Sequence, residues 1–335
     1  MPSRVLACCV FAFAVGTASA QFFVPDADPT TGTCNVFPFG STGGANVKYQ
    51  QLVTAAELGN APCTITGLGF AKCGAGTLHF NAIQVVLAHK PGASTLVANF
   101  AQNLVSNPTI VALATNHDWN LPADSWQDVG MQVPFAYNGI DNLVVEVTVT
   151  GSQWTASGTG SPGTRAGSHQ RVFASNWTTS PPANGTLSSQ FALKIEIDTG
   201  TAKVSSYGRG CAGSNTLVPA MAVTGSPQLG QSIVFELTNA LANSIALHTI
   251  GFSNGAPYPA DLGFLGAPNC FLYTDLSILA ATLVDATGHG TLPFLVPNDA
   301  SLVGLPVYAQ FFDLDPTANA FGWTTTNYVR VQFGP

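Results

Sequence analysis

Charge is scarce in this sequence. Asp, Glu, Lys and Arg make up 8% of its 335 residues, against about 25% in ordinary soluble proteins. The Lys and Arg residues form no run that would track a phosphate backbone or an anionic bilayer, so nucleic acid and charged membrane surfaces are not expected partners. Solubility falls to Thr, Ser, Asn, Gln and Gly. After residue 20 no apolar run reaches the 18 or so residues of a membrane-spanning helix, because Gly, Asn, Thr and Pro interrupt each one. Membrane insertion is therefore not expected either. Helical periodicity is missing as well. Tyr49–Leu58 comes nearest, as a helical turn or an edge strand. No H-x-x-x-H, H-E-x-x-H or C-x-x-C occurs, which removes the common zinc sites.

The N-terminus does carry information. Arg4 precedes an apolar run from Val5 to Val15, which ends at Ala18-Ser19-Ala20. That order is a signal peptide with an A-x-A cleavage site, so residues 1–20 are expected to be removed and the protein to be secreted or held non-covalently at the cell surface. Loss of Arg4 leaves 9 basic against 17 acidic side chains, a net charge of −8. Five of the seven cysteines remain: Cys34, Cys63, Cys73, Cys211 and Cys270. In an oxidising compartment these read as disulfides. Cys211 and Cys270 stand alone in their half and are expected to pair. Among Cys34, Cys63 and Cys73 one pair and one leftover thiol are expected, with the partners open.

Short apolar segments divided by Gly, Pro, Asn and Ser run through the chain, and no helical segment separates them. The clearest are 63–70, 82–89, 109–115, 143–150 and 190–198, then 232–237, 245–251, 278–285, 306–312 and 328–333. In the 190–198 segment Phe191, Leu193, Ile195 and Ile197 alternate with Ala192, Lys194, Glu196 and Asp198, which predicts one buried and one wet face. The expectation is an all-β protein of two tandem antiparallel β-sandwich or jelly-roll domains. Residues 21–198 form the first, 199–206 a small-residue linker, and 207–335 a disulfide-stapled second.

Two resemblances bear on this division. Tyr207-Gly208-Arg209-Gly210-Cys211, Gly266-Ala267-Pro268-Asn269-Cys270, the 297–304 segment and Asp313-Leu314-Asp315 resemble a module of planctomycete-type exported proteins, which spans residues 203–335 here. The segments 34–40, 49–58, 65–70, 126–129 and 134–147 look like those of a bacterial adhesin-type jelly-roll domain. The first resemblance implies export without an assigned chemistry. The second implies a surface or adhesive role.

Candidate chemistry is sparse. Gly158–Gly163 spells G-x-G-x-x-G, but Pro162 interrupts it and no helical pattern follows, so it reads as a loop. His117-Asp118 and Ser168-His169 are the histidine sites worth naming, both read as loops. Asp313 and Asp315, like Asp26 and Asp28, set two carboxylates along an extended segment, which would suit a structural Ca²⁺, or else a turn beside Pro316 and Pro29. Glu146, Glu196 and Glu236 fall on alternating strands with expected wet faces and do not suggest a glycosidase pair. Trp119, Trp126, Trp154 and Trp177 lie near amide side chains, as in sugar-binding faces, or else plug a sandwich core. The expected function is a secreted, non-catalytic structural or adhesion protein whose partners are polysaccharide or other surface proteins. A carbohydrate-binding module using the four tryptophans is the second reading, and an uncharacterised secreted hydrolase the third. No cofactor is expected beyond the possible Ca²⁺.

Overall fold

A computed structural model describes residues 20–39, 46–92, 95–155, 164–167 and 169–335. The expected signal peptide, apart from Ala20, and the Gly158–Gly163 segment lie outside them. Among the described residues the chain is all-β, with three short 3₁₀ turns and no α-helix. Every strand pairing is antiparallel. No helix among these residues is long and apolar enough to cross a membrane.

One twelve-stranded sheet runs through both halves of the chain. It starts at Thr186–Ser188 and continues through Arg171–Ser175, Val47–Val53, Asn142–Thr150, Gly76–Lys90 and Ser106–Leu121. It then crosses to Lys203–Tyr207, Trp323–Gln332, Pro306–Leu314, Ile245–Gly251 and finally Ile278–Leu283. The step between halves is a single residue pair, Tyr207 opposite Trp119. The 199–206 stretch is therefore not all linker, because Lys203–Tyr207 is a strand paired along its length with Trp323–Gln332. The Tyr49–Leu58 segment divides: Val47–Val53 is an interior strand, not an edge, held on both sides by Asn142–Thr150 and Arg171–Ser175. The residues after it form consecutive turns, with the Glu57 amide donating to the Thr54 carbonyl and the Leu58 amide to the Ala55 carbonyl.

Directly opposed residues share a sheet face, and one cross-strand row runs Leu78, Trp119, Tyr207, Tyr328, Gln310, Thr249, Leu279. Its first four members belong to a core closed by the seven-stranded sheet, which supplies Leu68, Phe70, Ile195 and Ile197. The second core holds Ala246, Ile250, Val329 and Val331, which alternate with that row and so lie on the other face. A three-stranded sheet built from Ala220–Thr224, Ser232–Thr238 and Gly290–Leu295 covers it with Met221, Ile233, Phe235 and Leu237. The two halves thus bury opposite faces of one sheet.

The strand reading of 190–198 holds from Ala192 onward, but Phe191, at φ +57°, is exposed instead of buried, and the wet face is not found. Leu193, Ile195 and Ile197 are buried, and so are Lys194, Glu196 and Asp198. The polar side is covered by groups that answer it. The Lys194 amine donates to Asp26 Oδ1 at 2.7 Å, the Asp28 carbonyl at 2.8 Å and Thr31 Oγ1 at 2.8 Å, while Lys203 pairs with Glu196. Glu146 is also buried, with Gln50 donating at 2.6 Å and Lys48 at 3.3 Å.

Arg330 joins the halves. Its guanidinium, 2% exposed, donates to the Met131 carbonyl at 3.2 Å, the Thr66 carbonyl at 3.0 Å and Gln332 Oε1 at 2.9 Å, and lies 3.8 Å from Asp128 Oδ2. Burial works against this charge, but the Asp128 carboxylate outweighs it and holds the guanidinium charged. Two disulfides complete the scaffold. Cys211 bonds Cys270, and Cys34 bonds Cys73, leaving Cys63 as the free thiol. Closing the 59-residue separation between Cys211 and Cys270 contributes about 4 kcal/mol in the chain-entropy treatment.

Candidate functional site

The structure disperses the four tryptophans. Trp119 is 1% exposed and sits in the first core, edge-on to Phe39 at 5.0 Å, with the Lys72 amine 4.7 Å above its ring. Trp154 shares its cross-strand row through Leu78 and packs on the same core. Trp126 belongs to the other sheet, where it leans on Phe23 at 5.1 Å and donates to the Ala27 carbonyl at 3.1 Å. Trp177 follows the Arg171–Ser175 strand, and its buried Nε1 has no partner among the described residues. They present no single planar face.

Of the two histidines read as loop residues, His117 departs from that reading and His169, between two strands, keeps it. His117 lies inside a strand, buried between Phe80 at 6.4 Å and Tyr207 at 5.6 Å, and burial pulls it down to about 4. His169 stands 2.5 Å from Glu57 Oε1, while Ser168 is outside the described residues. Asp313 and Asp315 are both buried and occupied by donors. Asp313 accepts from Ser244 Oγ at 2.6 Å and the Leu241 amide at 2.8 Å. Asp315 accepts from the Ser214 amide at 2.7 Å and Thr317 Oγ1 at 3.2 Å. Burial opposes ionisation of Asp315, but those hydrogen bonds outweigh it and hold it below the usual carboxylate range. Asp26 and Asp28 act as turn formers and hold Lys194. Among the described residues no three His, Cys, Asp or Glu side chains converge as metal ligands.

Two other places stand out. The first is the far end of the shared sheet. Ile278–Leu283, sequence ILAATL, pairs on one side with Ile245–Gly251 and has no backbone-paired strand on the other, where Thr282 Oγ1 donates to the Thr291 carbonyl at 2.8 Å. Leu279 is 56% and Leu283 77% exposed. Beside this edge Leu247, Leu276, Leu279, Phe312, Phe321 and Trp323 line an apolar groove of about 240 Å³. Leu247, Phe312 and Trp323 continue the face that forms the first core. That origin explains the groove: it is the part of an inward-type face that the seven-stranded layer does not reach. The sequence shows the strand but not that it ends a sheet, because strand order is a long-range property.

The second place is a polar cleft of about 450 Å³ on the opposite face of the first half, lined by Thr77, His79, Asn116, Asp118, Asn120, Gln153 and Arg209. Gln153, His79 and Asp118 sit side by side across three strands, and Thr77 faces Asn120 in the next row. His79 Nδ1 lies 2.7 Å from Asp118 Oδ1, and Arg209 Nη1 donates to Asp118 Oδ2 at 2.6 Å. Arg209 comes from the Tyr207–Cys211 segment, bent toward the first half by glycine. A Cβ on Gly208 (φ +73°) would lie 2.6 Å from the Tyr273 ring, so no other residue keeps this turn without displacing that ring. Alternate polar residues at 116, 118 and 120 were the available sequence sign of this face. Comparison with protein-family models, curated proteins and solved structures finds no match to this chain.

Proposed function

We propose that this protein is a secreted, non-catalytic structural component whose copies join outside the cell through the edge of the shared sheet, with adhesion through the apolar face beside it. The observation that carries the reading is the open Ile278–Leu283 strand. An unpaired strand edge presents backbone donors and acceptors that another strand satisfies, and soluble proteins guard such edges with charge, proline or bulges. This one has no charged residue and no proline, whereas the nearby Gly290–Leu295 edge carries Pro293. Antiparallel pairing of two copies about a two-fold axis is self-complementary and keeps both apolar grooves on one side. The low charge of the surface weakens the repulsion that keeps proteins apart, and the two disulfides suit an oxidising compartment.

Sedimentation velocity over a rising protein concentration tests this. The wild-type chain is expected to associate, and Leu283→Lys to remain a monomer with an unchanged melting temperature. A wild-type chain that stays monomeric throughout, or a Leu283→Lys variant that associates equally, overturns the reading.

A further inference from the structure

We infer that the polar cleft lined by His79, Asn116, Asp118, Gln153 and Arg209 binds a neutral saccharide of one or two sugar units, independently of the tryptophans and of the sheet edge. Its size falls within the roughly 300–1,000 Å³ of small-molecule sites, at about 450 Å³. Each residue that lines it carries a polar side chain, on a sheet face that elsewhere in this half buries its own cluster of Leu52, Leu96, Phe100, Val144 and Val172.

Charge balance selects the ligand class. The one guanidinium is matched by the one carboxylate, Arg209 Nη1 to Asp118 Oδ2 at 2.6 Å. An anion entering the cleft would compete with Asp118, and a cation would compete with Arg209. A neutral molecule meets neither penalty. The free valences then specify hydroxyl groups. A carboxylate only accepts, so the 2.7 Å contact with Asp118 keeps a proton on His79 Nδ1 and leaves Nε2 as the ring's remaining polar atom for a ligand hydroxyl. Asn116 receives Arg209 Nη2 on its Oδ1 at 3.3 Å, which leaves its amide N–H groups as donors. Thr77 donates to Asn120 Oδ1 at 2.9 Å and retains lone pairs. Gln153 adds one donor and one acceptor from an exposed position. Donors and acceptors interleaved at this spacing suit vicinal hydroxyls, each of which donates and accepts. The set is also held in place, because Asn120 is tied to the Gly208 carbonyl at 2.9 Å and Arg209 stacks over Phe271 at 4.9 Å, which lowers the ordering cost of binding.

Saturation-transfer NMR on the full chain tests the assignment, with cellobiose and mannobiose as neutral probes and galacturonate and inorganic phosphate as charged ones. A neutral disaccharide is expected to bind with a Kd of about 1 mM. Gln153→Ala and His79→Ala are each expected to weaken it roughly five- to tenfold, the loss of one or two ligand hydrogen bonds, with melting temperatures within a few degrees of wild type. A Trp126→Ala variant is expected to bind as wild type. Three results overturn the inference: no transfer to either neutral probe at about 20 mM, tighter binding of galacturonate or phosphate than of the neutral sugars, or binding that survives both cleft substitutions. Leu283→Lys separates this site from the assembly surface, since it is expected to abolish association and leave sugar binding intact.

Discussion

Along one face of the shared sheet, the stretch beneath the first half and the stretch at the far end are built from similar residues and finished differently. From Leu78 to Tyr328 a seven-stranded layer covers the face, and the polar groups it encloses, Arg330, Asp128 and Gln332, are tied to named partners across the seam. From Leu247 to Leu283 the same face continues with Phe312, Leu279 and Trp323, and only the disulfide-stapled segment carrying Leu262 and Cys270 packs against part of it, at Phe312. The second half buries the other face, beneath three strands. Apolarity here is thus a property of the face, and exposure is decided by how far the covering layer extends. This uncovered stretch, built to the pattern of an interior, is the surface to which the proposed association is assigned.

The largest effect is expected from a change inside the covered region. Arg330→Met leaves the buried Asp128 carboxylate without its counter-charge and the Thr66 and Met131 carbonyls without this donor, and should cost about 3–5 kcal/mol in urea unfolding followed by circular dichroism. Both halves should lose stability together, since the residue ties one to the other. Loss confined to the second half would show that the seam is not the joint described here. Asp128→Asn combined with Arg330→Met should cost less than the sum of the two, because neither charge is then left alone.

These features were unevenly legible. The strands were readable because period-two alternation and turn residues are local, and Leu193, Ile195 and Ile197 point inward as their spacing requires. The Cys211–Cys270 bridge was readable because those two cysteines have no other partner nearby. The cover over Lys194 and Glu196 was not, because it comes from Asp26, Thr31 and Lys203, segments whose placement depends on strand order. Arg330 looked like any strand arginine, and only the seam makes it a buried ion. The cleft likewise needs strands from 76, 106 and 153 to lie side by side with the turn at 208.

The two cores should also respond differently to pH. His248, in the second, lies 4.4 Å from Phe235 and 4.6 Å from Phe311 with its Nε2 unpaired, and burial pulls it down to about 3. His117 and Lys72 lie in the first half, where burial pulls them down to about 4 and about 7. In each case the folded value lies below the unfolded one, so the unfolded chain binds more protons and stability rises with pH. The histidines act between pH 6.5 and their folded values, costing about 3 kcal/mol for His117 and about 5 kcal/mol for His248 on full acidification. Lys72 acts in a separate window, from about 7 to its ordinary value near 10.5. His248→Leu should flatten the acid limb and leave the alkaline one, and Lys72→Met should do the reverse. Chemical denaturation across pH 3–10 reads both, and an acid limb unchanged by His248→Leu would remove the second core from this account.

The smallest expected effect concerns the sheet's other end. Thr186–Ser188 also terminates the twelve strands and exposes Leu187, yet it is three residues long and ends at a turn. A strand that short offers too few backbone pairs to repay the entropy of association, whereas Ile278–Leu283 offers twice the length and an apolar groove alongside. Leu187→Lys should therefore leave the sedimentation profile of the wild-type chain unchanged, in contrast to Leu283→Lys. If Leu187→Lys also abolished association, copies would be joining head to tail through unlike edges. That arrangement repeats without closing, and the product would be a filament instead of a two-fold dimer.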